Sequence, residues 1–221
     1  MSAPRLLILA FAAGSLAIAG CQGSDSLPQT SLTPPSSGSA QLTITNGAYQ
    51  VEVVAGPANQ SAAVLASSSQ SPTSYSVVAT PEGAYSVRFA AGSGGAQSWT
   101  VRLSPKPRWE VVVQGGTTHL VLDLSGLNLR SLAIAGGAYT MVVDLPPALG
   151  AVPVVVTGGA NRITFVVPRS SSATLLAGPG VSRVQGGIPE GSRRYLVGGG
   201  SGSGYQIRVT SGAALVVLST W

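Results

Sequence analysis

The sequence predicts an all-β fold: a single-stranded right-handed β-solenoid (parallel β-helix-like) built from glycine-cornered coils of about 21–22 residues. Two observations carry this expectation. One pattern of strand, glycine corner and strand recurs along the chain. The composition is also that of strands and turns, with 29 glycines in 221 residues, 9% charged residues, and few of the Glu and Lys that favour helices.

Taken in order, the chain opens with a stretch that reads as a secretory signal. Arg5 is followed by an apolar run from Leu6 to Ile18 and by the small residues Ala19 and Gly20. The run is too short for a permanent membrane helix. The junction Leu16-Ala17-Ile18-Ala19-Gly20-Cys21 resembles the lipobox of bacterial lipoproteins, an aliphatic residue and two small ones before cysteine. That resemblance implies a signal peptide over 1–20, with cleavage before Cys21 and lipidation of its sulfur. It also implies an extracytoplasmic, lipid-anchored protein of the cell membrane or outer membrane, since each buried methylene contributes about 0.8 kcal/mol. Cys21 is the single cysteine, so no intrachain disulfide is available. Residues 21–40 are rich in Ser, Pro, Gly and Thr and are expected to form a flexible tether after the lipidated cysteine.

The repeat follows. It reads Leu132-x-Ile134-x-x-Gly137-Ala138-Tyr139-x-Met141-x-Val143, then Val154-x-Val156-x-x-Gly159-Ala160-Asn161-x-Ile163-x-Phe165. Related copies centre on Gly47, Gly116 and Gly212, and a weaker one on Gly83 with Tyr85, Val87 and Phe89. Period-two alternation on each side of the glycine predicts two strands per unit. Glycine suits the corner through its access to positive φ and its tolerance of close backbone. The expected inward columns are Val113, Ile134 and Val156, then Leu120, Met141 and Ile163, then Leu122, Val143 and Phe165. Residues 108–221 form the main solenoid part. Residues 41–107 form a first, irregular part, with loops at Ser67–Thr73 and Ser104–Pro107. An outer-membrane barrel is disfavoured, because it needs aromatic girdles and only 5% of the chain is aromatic.

Leu124-Ser125-Gly126-Leu127 leading into Leu132–Ala138, Val156–Ala160 leading into Phe165–Pro168, and the closing Tyr205–Leu218 segment resemble the adhesin-like and toastrack β-solenoid domains. These include the carboxy-terminal domains of LiaF-like proteins linked to cell-envelope stress. The resemblance implies a fold and an envelope setting. It brings no catalytic residues with it.

The chemical inventory is thin. His119 is the only histidine and Lys106 the only lysine, so neither a histidine cluster nor a cysteine-ligated metal site can form within the chain. No nucleophile elbow accompanies His119, which is expected on the outer surface. The glycines from Gly198 to Gly204 lack the lysine of a phosphate loop. No cofactor is expected.

Asp123 and Asp144 occupy the same place in consecutive units and should stack on adjacent coils about 5 Å apart. Such a pair could serve glycoside cleavage or weak calcium binding, against the simpler role of solubilising an outer face. Tyr49, Tyr85 and Tyr139 share a position just after the corner. They are expected to plug the coil ends, with stacking on sugar rings the alternative. The net charge of +5 is dispersed, which argues against nucleic acid as a partner.

The expected function is a non-enzymatic, lipid-anchored cell-envelope module for adhesion, scaffolding or sensing. Its partners would be the membrane, through Cys21, and an envelope protein or glycan. The alternative is a glycan-binding or glycan-cleaving protein using Asp123 and Asp144, with Tyr139 as a further ligand contact.

Overall fold

Alternating burial organises most of the strands of the described residues. In strand after strand every second side chain is buried and its neighbours are half-buried or exposed, the mark of strands with one face on a core. The computed structural model describes residues 38–45, 47–68, 75–80, 82–89, 97–198 and 204–221. The expected signal peptide, Cys21 and the expected tether up to residue 37 lie outside the described residues.

The strands in chain order are β1 (Ser39–Thr45), β2 (Gln50–Ala55), β3 (Val64–Ser68), β4 (Tyr75–Ala79), β5 (Ala84–Phe89) and β6 (Ser98–Leu103). Then come β7 (Arg108–Val113), β8 (Thr117–Asp123), β9 (Asn128–Ile134), β10 (Ala138–Asp144), β11 (Val152–Val156) and β12 (Ala160–Val167). The last are β13 (Ser172–Ala177), β14 (Val184–Gln185), β15 (Ile188–Pro189), β16 (Arg194–Val197), β17 (Gly204–Val209) and β18 (Ala213–Thr220). They form two sheets, ordered β15-β16-β13-β17-β11-β9-β7-β1-β5-β4 and β14-β18-β12-β10-β8-β2-β6-β3. Each coil contributes one strand to each sheet, and neighbouring coils pair in parallel.

The fold is all-β with stacked parallel coils, as the repeat predicts, but the coils do not stack in chain order. The β1–β2 coil lies between the β5–β6 and β7–β8 coils, and the β17–β18 coil lies between those of β11–β12 and β13–β14. The first and last coils are therefore interior members of the stack. Antiparallel strands close it: β3 on β6 and β4 on β5 at one end, β16 on β13 and β15 on β16 at the other. A sheet edge left open would offer unpaired amides to another chain. Pro189 in the outermost strand β15 fits that position, since it has no amide to offer.

The inward faces share one core. Val113, Ile134, Val156, Leu120, Met141, Ile163, Leu122, Val143 and Phe165 are all buried in it, as the repeat predicts. The β4–β6 end is filled by aromatic rings: Phe89 stacks on Trp99 at 4.7 Å, Tyr75 meets Trp99 edge-on at 5.4 Å, and Tyr85 lies 5.9 Å from Trp109. At the other end of the hydrophobic column, the buried Tyr205 hydroxyl donates to the Pro146 carbonyl at 2.5 Å.

The Gly83 copy of the repeat is out of phase. Tyr85 and Val87 pair with Leu42 and Ile44 of β1, so this segment is the strand before a corner rather than after one. Glycines 47, 116, 137, 159 and 212 are the true corners, and Gly180 joins their column through the β13–β14 coil. None of these takes a positive φ; Gly83 does. Close approach requires glycine at Gly47 and Gly180 and, one residue before the corner, at Gly136 and Gly158, where backbone of the next coil lies against them; a Cβ on Gly116, Gly159 or Gly212 would meet it only at ordinary contact distance.

Candidate functional site

The outer face of the eight-stranded sheet holds the polar residues singled out by the repeat. Asp123 ends β8 and Asp144 ends β10, and the register places them side by side. Both are half-buried. Asp123 Oδ1 accepts from the Ser125 hydroxyl at 2.6 Å and from the Ser125 amide at 3.2 Å. Burial, and then the neighbouring Asp123 charge, raise the Asp144 carboxyl above its usual range. Val54 and Val166 flank the pair on the adjoining strands. Arg102 stands beyond Val54, and Arg162 is level with Thr140, four residues back along the strand. Among the described residues no cation lies within 4 Å of either carboxylate, and no three His, Cys, Asp or Glu side chains gather as a metal cluster.

The corner ridge is the second feature. Tyr49, Thr118, Tyr139, Asn161 and Ala214 each follow the corner by two residues, and the strand ladder steps over the last four of them. Ala138 pairs with Thr117 and Ala160, while Thr140 pairs with His119 and Arg162; Ala160 and Arg162 pair with Ala213 and Leu215. The amides of Thr118 and His119 both donate to the Tyr49 carbonyl, at 3.0 and 2.9 Å. The alternation of burial slips here, since Ala138 and Met141 are both buried and Tyr139 between them is exposed.

The three tyrosines accordingly part company. Tyr85 is buried, while Tyr49 and Tyr139 are 44% and 60% exposed and do not plug the coil. His119 is half-buried rather than free on the surface. Its Nδ1 lies 2.7 Å from Thr140 Oγ1, and its ring meets Tyr49 edge-on at 5.2 Å.

Two clefts lie elsewhere. One of about 230 Å³ is bordered by Ser39, Glu82, Glu110 and Arg130, where the chain enters β1. Another of about 430 Å³ is bordered by Arg169, Ile188 and Leu196 at the far end of the stack. Neither contains Asp123 or Asp144. Sequence reasoning had no access to the first cleft, because its residues are far apart in the chain and meet only through the insertion of β1 beside β5 and β7.

Residues 36–166, more than half the chain, match the family profile described as the N-terminal domain of toast_rack, DUF2154. The chain belongs to that toast_rack family. Among solved structures, this toastrack chain is similar to the crystal structure of a "putative cell adhesion protein" from Clostridium sporogenes ATCC 15579. The TM-score is 0.70 at 18% identity, over 86% of this chain and 96% of the other. At that identity the likeness is one of fold. No curated protein matches the toastrack chain.

Proposed function

We propose that this toastrack protein is a lipid-anchored, non-enzymatic module of the cell envelope that adheres to or scaffolds an envelope partner. The observation that carries the reading is the shared toastrack fold, a stack of coils capped at both ends, which a solved structure described as a "putative cell adhesion protein" also has. The lipobox-like Leu16–Cys21 segment supplies the address. The Ser/Pro/Gly-rich composition of residues 21–40 supports a tether that would hold the stack away from the lipid. Attachment through acyl chains on Cys21 leaves both outer sheet faces free for a partner.

Labelling cells with an alkyne analogue of palmitate tests the address. The wild-type chain takes up label and sediments with membranes, while Cys21→Ser does neither. Label incorporated equally by both would refute it. Capture of the lipidated protein from intact envelope tests the adhesive role, with recovery of a specific envelope component as the expected result and recovery of none as the refuting one.

The second reading is glycan cleavage, favoured by the adjacency of Asp123 and Asp144 and by the raised Asp144 carboxyl. Two carboxyls on neighbouring strands, about 5 Å apart, have the separation of a retaining glycosidase pair. It requires hydrolysis by the purified chain that disappears in Asp144→Asn.

A further inference from the structure

We propose that the corner ridge carrying Tyr49 and Tyr139 is a binding track for an extended, β-1,4-linked sugar chain; this rests on the adhesive reading above and gives it a class of partner. The ridge crosses the strands, so its repeat is the strand spacing. Tyr49 belongs to the β1–β2 coil and Tyr139 to the β9–β10 coil, with the β7–β8 coil between them. The rings are thus carried two strand spacings apart, ~9.6 Å. An extended β-1,4-linked pyranose chain repeats every second ring over about the same length and turns the same ring face to one side at each repeat. Tyr49 and Tyr139 then meet alternate sugars, and Thr118 lies beneath the sugar between them.

The chemistry along the track suits that occupant. A tyrosine offers an apolar face to the C–H face of a pyranose and keeps its hydroxyl in water. The fold buries Phe89, Trp99, Trp109, Phe165 and Tyr205 almost completely, yet leaves these two rings, just past the corner, 44% and 60% exposed. His119, held between Tyr49 and Thr140, fixes the Tyr49 ring edge-on. Gln50, Asn161 and Arg162 stand in or beside the same row and offer hydrogen bonds to sugar hydroxyls. Asp123 and Asp144 lie four residues along the strands from His119 and Thr140, so the track is separate from the carboxylate pair.

The test titrates the full chain, in detergent micelles, with chitohexaose and with chitobiose by calorimetry, alongside co-sedimentation with purified cell-wall sacculi. The hexamer is expected to bind, and the dimer, which reaches one tyrosine only, to bind at least ~10-fold more weakly. Tyr49→Ala and Tyr139→Ala should each weaken the hexamer by ~10-fold with an unchanged melting temperature, whereas Tyr139→Phe and Asp144→Asn should bind as wild type. No binding of the hexamer, or binding indifferent to both tyrosines, overturns the track. Sacculus binding that survives both substitutions overturns the track and leaves the adhesive reading standing. A protein captured through the tyrosines without any binding of the hexamer also overturns it. Failure to bind the oligosaccharides and every envelope fraction overturns both.

Discussion

Replacing Gly158 with alanine sets a methyl group against the backbone of the neighbouring coil. The added Cβ would fall 2.9 Å from the Ala135 carbonyl oxygen and closer still to the carbonyl of Gly136. These are backbone atoms of the neighbouring corner, whose amides are bonded to the Val113 carbonyl, and they cannot turn aside as a side chain would. Overpacking of a tight interior costs about 1–3 kcal/mol, and a clash with fixed backbone belongs at the upper end. For a domain of this size, about 3 kcal/mol lowers the melting temperature by roughly 6–12 °C. The next residue is the control. A Cβ on Gly159 would meet the Gly212 carbonyl oxygen at 3.6 Å, an ordinary contact, and Gly159 has no positive φ. Gly159→Ala should therefore stay within about 1 kcal/mol of wild type, with a small gain from the restricted unfolded chain. Thermal and urea unfolding of the two variants, followed by far-ultraviolet circular dichroism, separates them. Equal losses for both would refute close coil packing as the reason for glycine here.

Other consequences are read in the same way. Phe165→Ala empties the fully buried centre of β12 and should cost about 3–5 kcal/mol in urea unfolding. Tyr205→Phe leaves the Pro146 carbonyl without its buried donor and should cost about 1–3 kcal/mol by the same measurement. The Asp144 carboxyl is raised above its ordinary 3.8 by burial and then by Asp123, so the folded chain holds this proton more readily than the unfolded one. Stability is therefore lost as pH rises from 3.8 through the folded value. Asp144→Asn removes that loss and should be more stable than wild type at pH 7, with the gain fading below about pH 4. A gain that persists unchanged at low pH would contradict this account of Asp144.

The inward columns were legible because a stack of parallel coils demands both alternation along the strand and repetition between coils. A residue such as Met141 satisfies both tests at once. The side-by-side placement of Asp123 and Asp144 follows from the same register. The coil order was not legible. Every coil presents the same alternating apolar face, so nothing in the periodicity says whether Leu42 pairs onward to Val111 alone or also sits against Tyr85, as it does. The Gly83 segment misleads for a related reason: Tyr85-x-Val87-x-Phe89 after Gly-Ala fits either half of a coil. Its phase is set by the antiparallel cap β4, which no repeat announces. Burial of Tyr85 follows from that phase, whereas Tyr139 is exposed because the burial alternation slips between Ala138 and Met141, which a period-two pattern does not announce.

The central claim is a surface that holds a partner and does not transform it. The most direct measurement incubates the full chain with isolated cell envelopes and follows both the protein retained and the sugar reducing ends released over time. The account predicts saturable retention with no time-dependent release, unchanged in Asp123→Asn and Asp144→Asn. Steady release of product that is abolished by Asp144→Asn would contradict it.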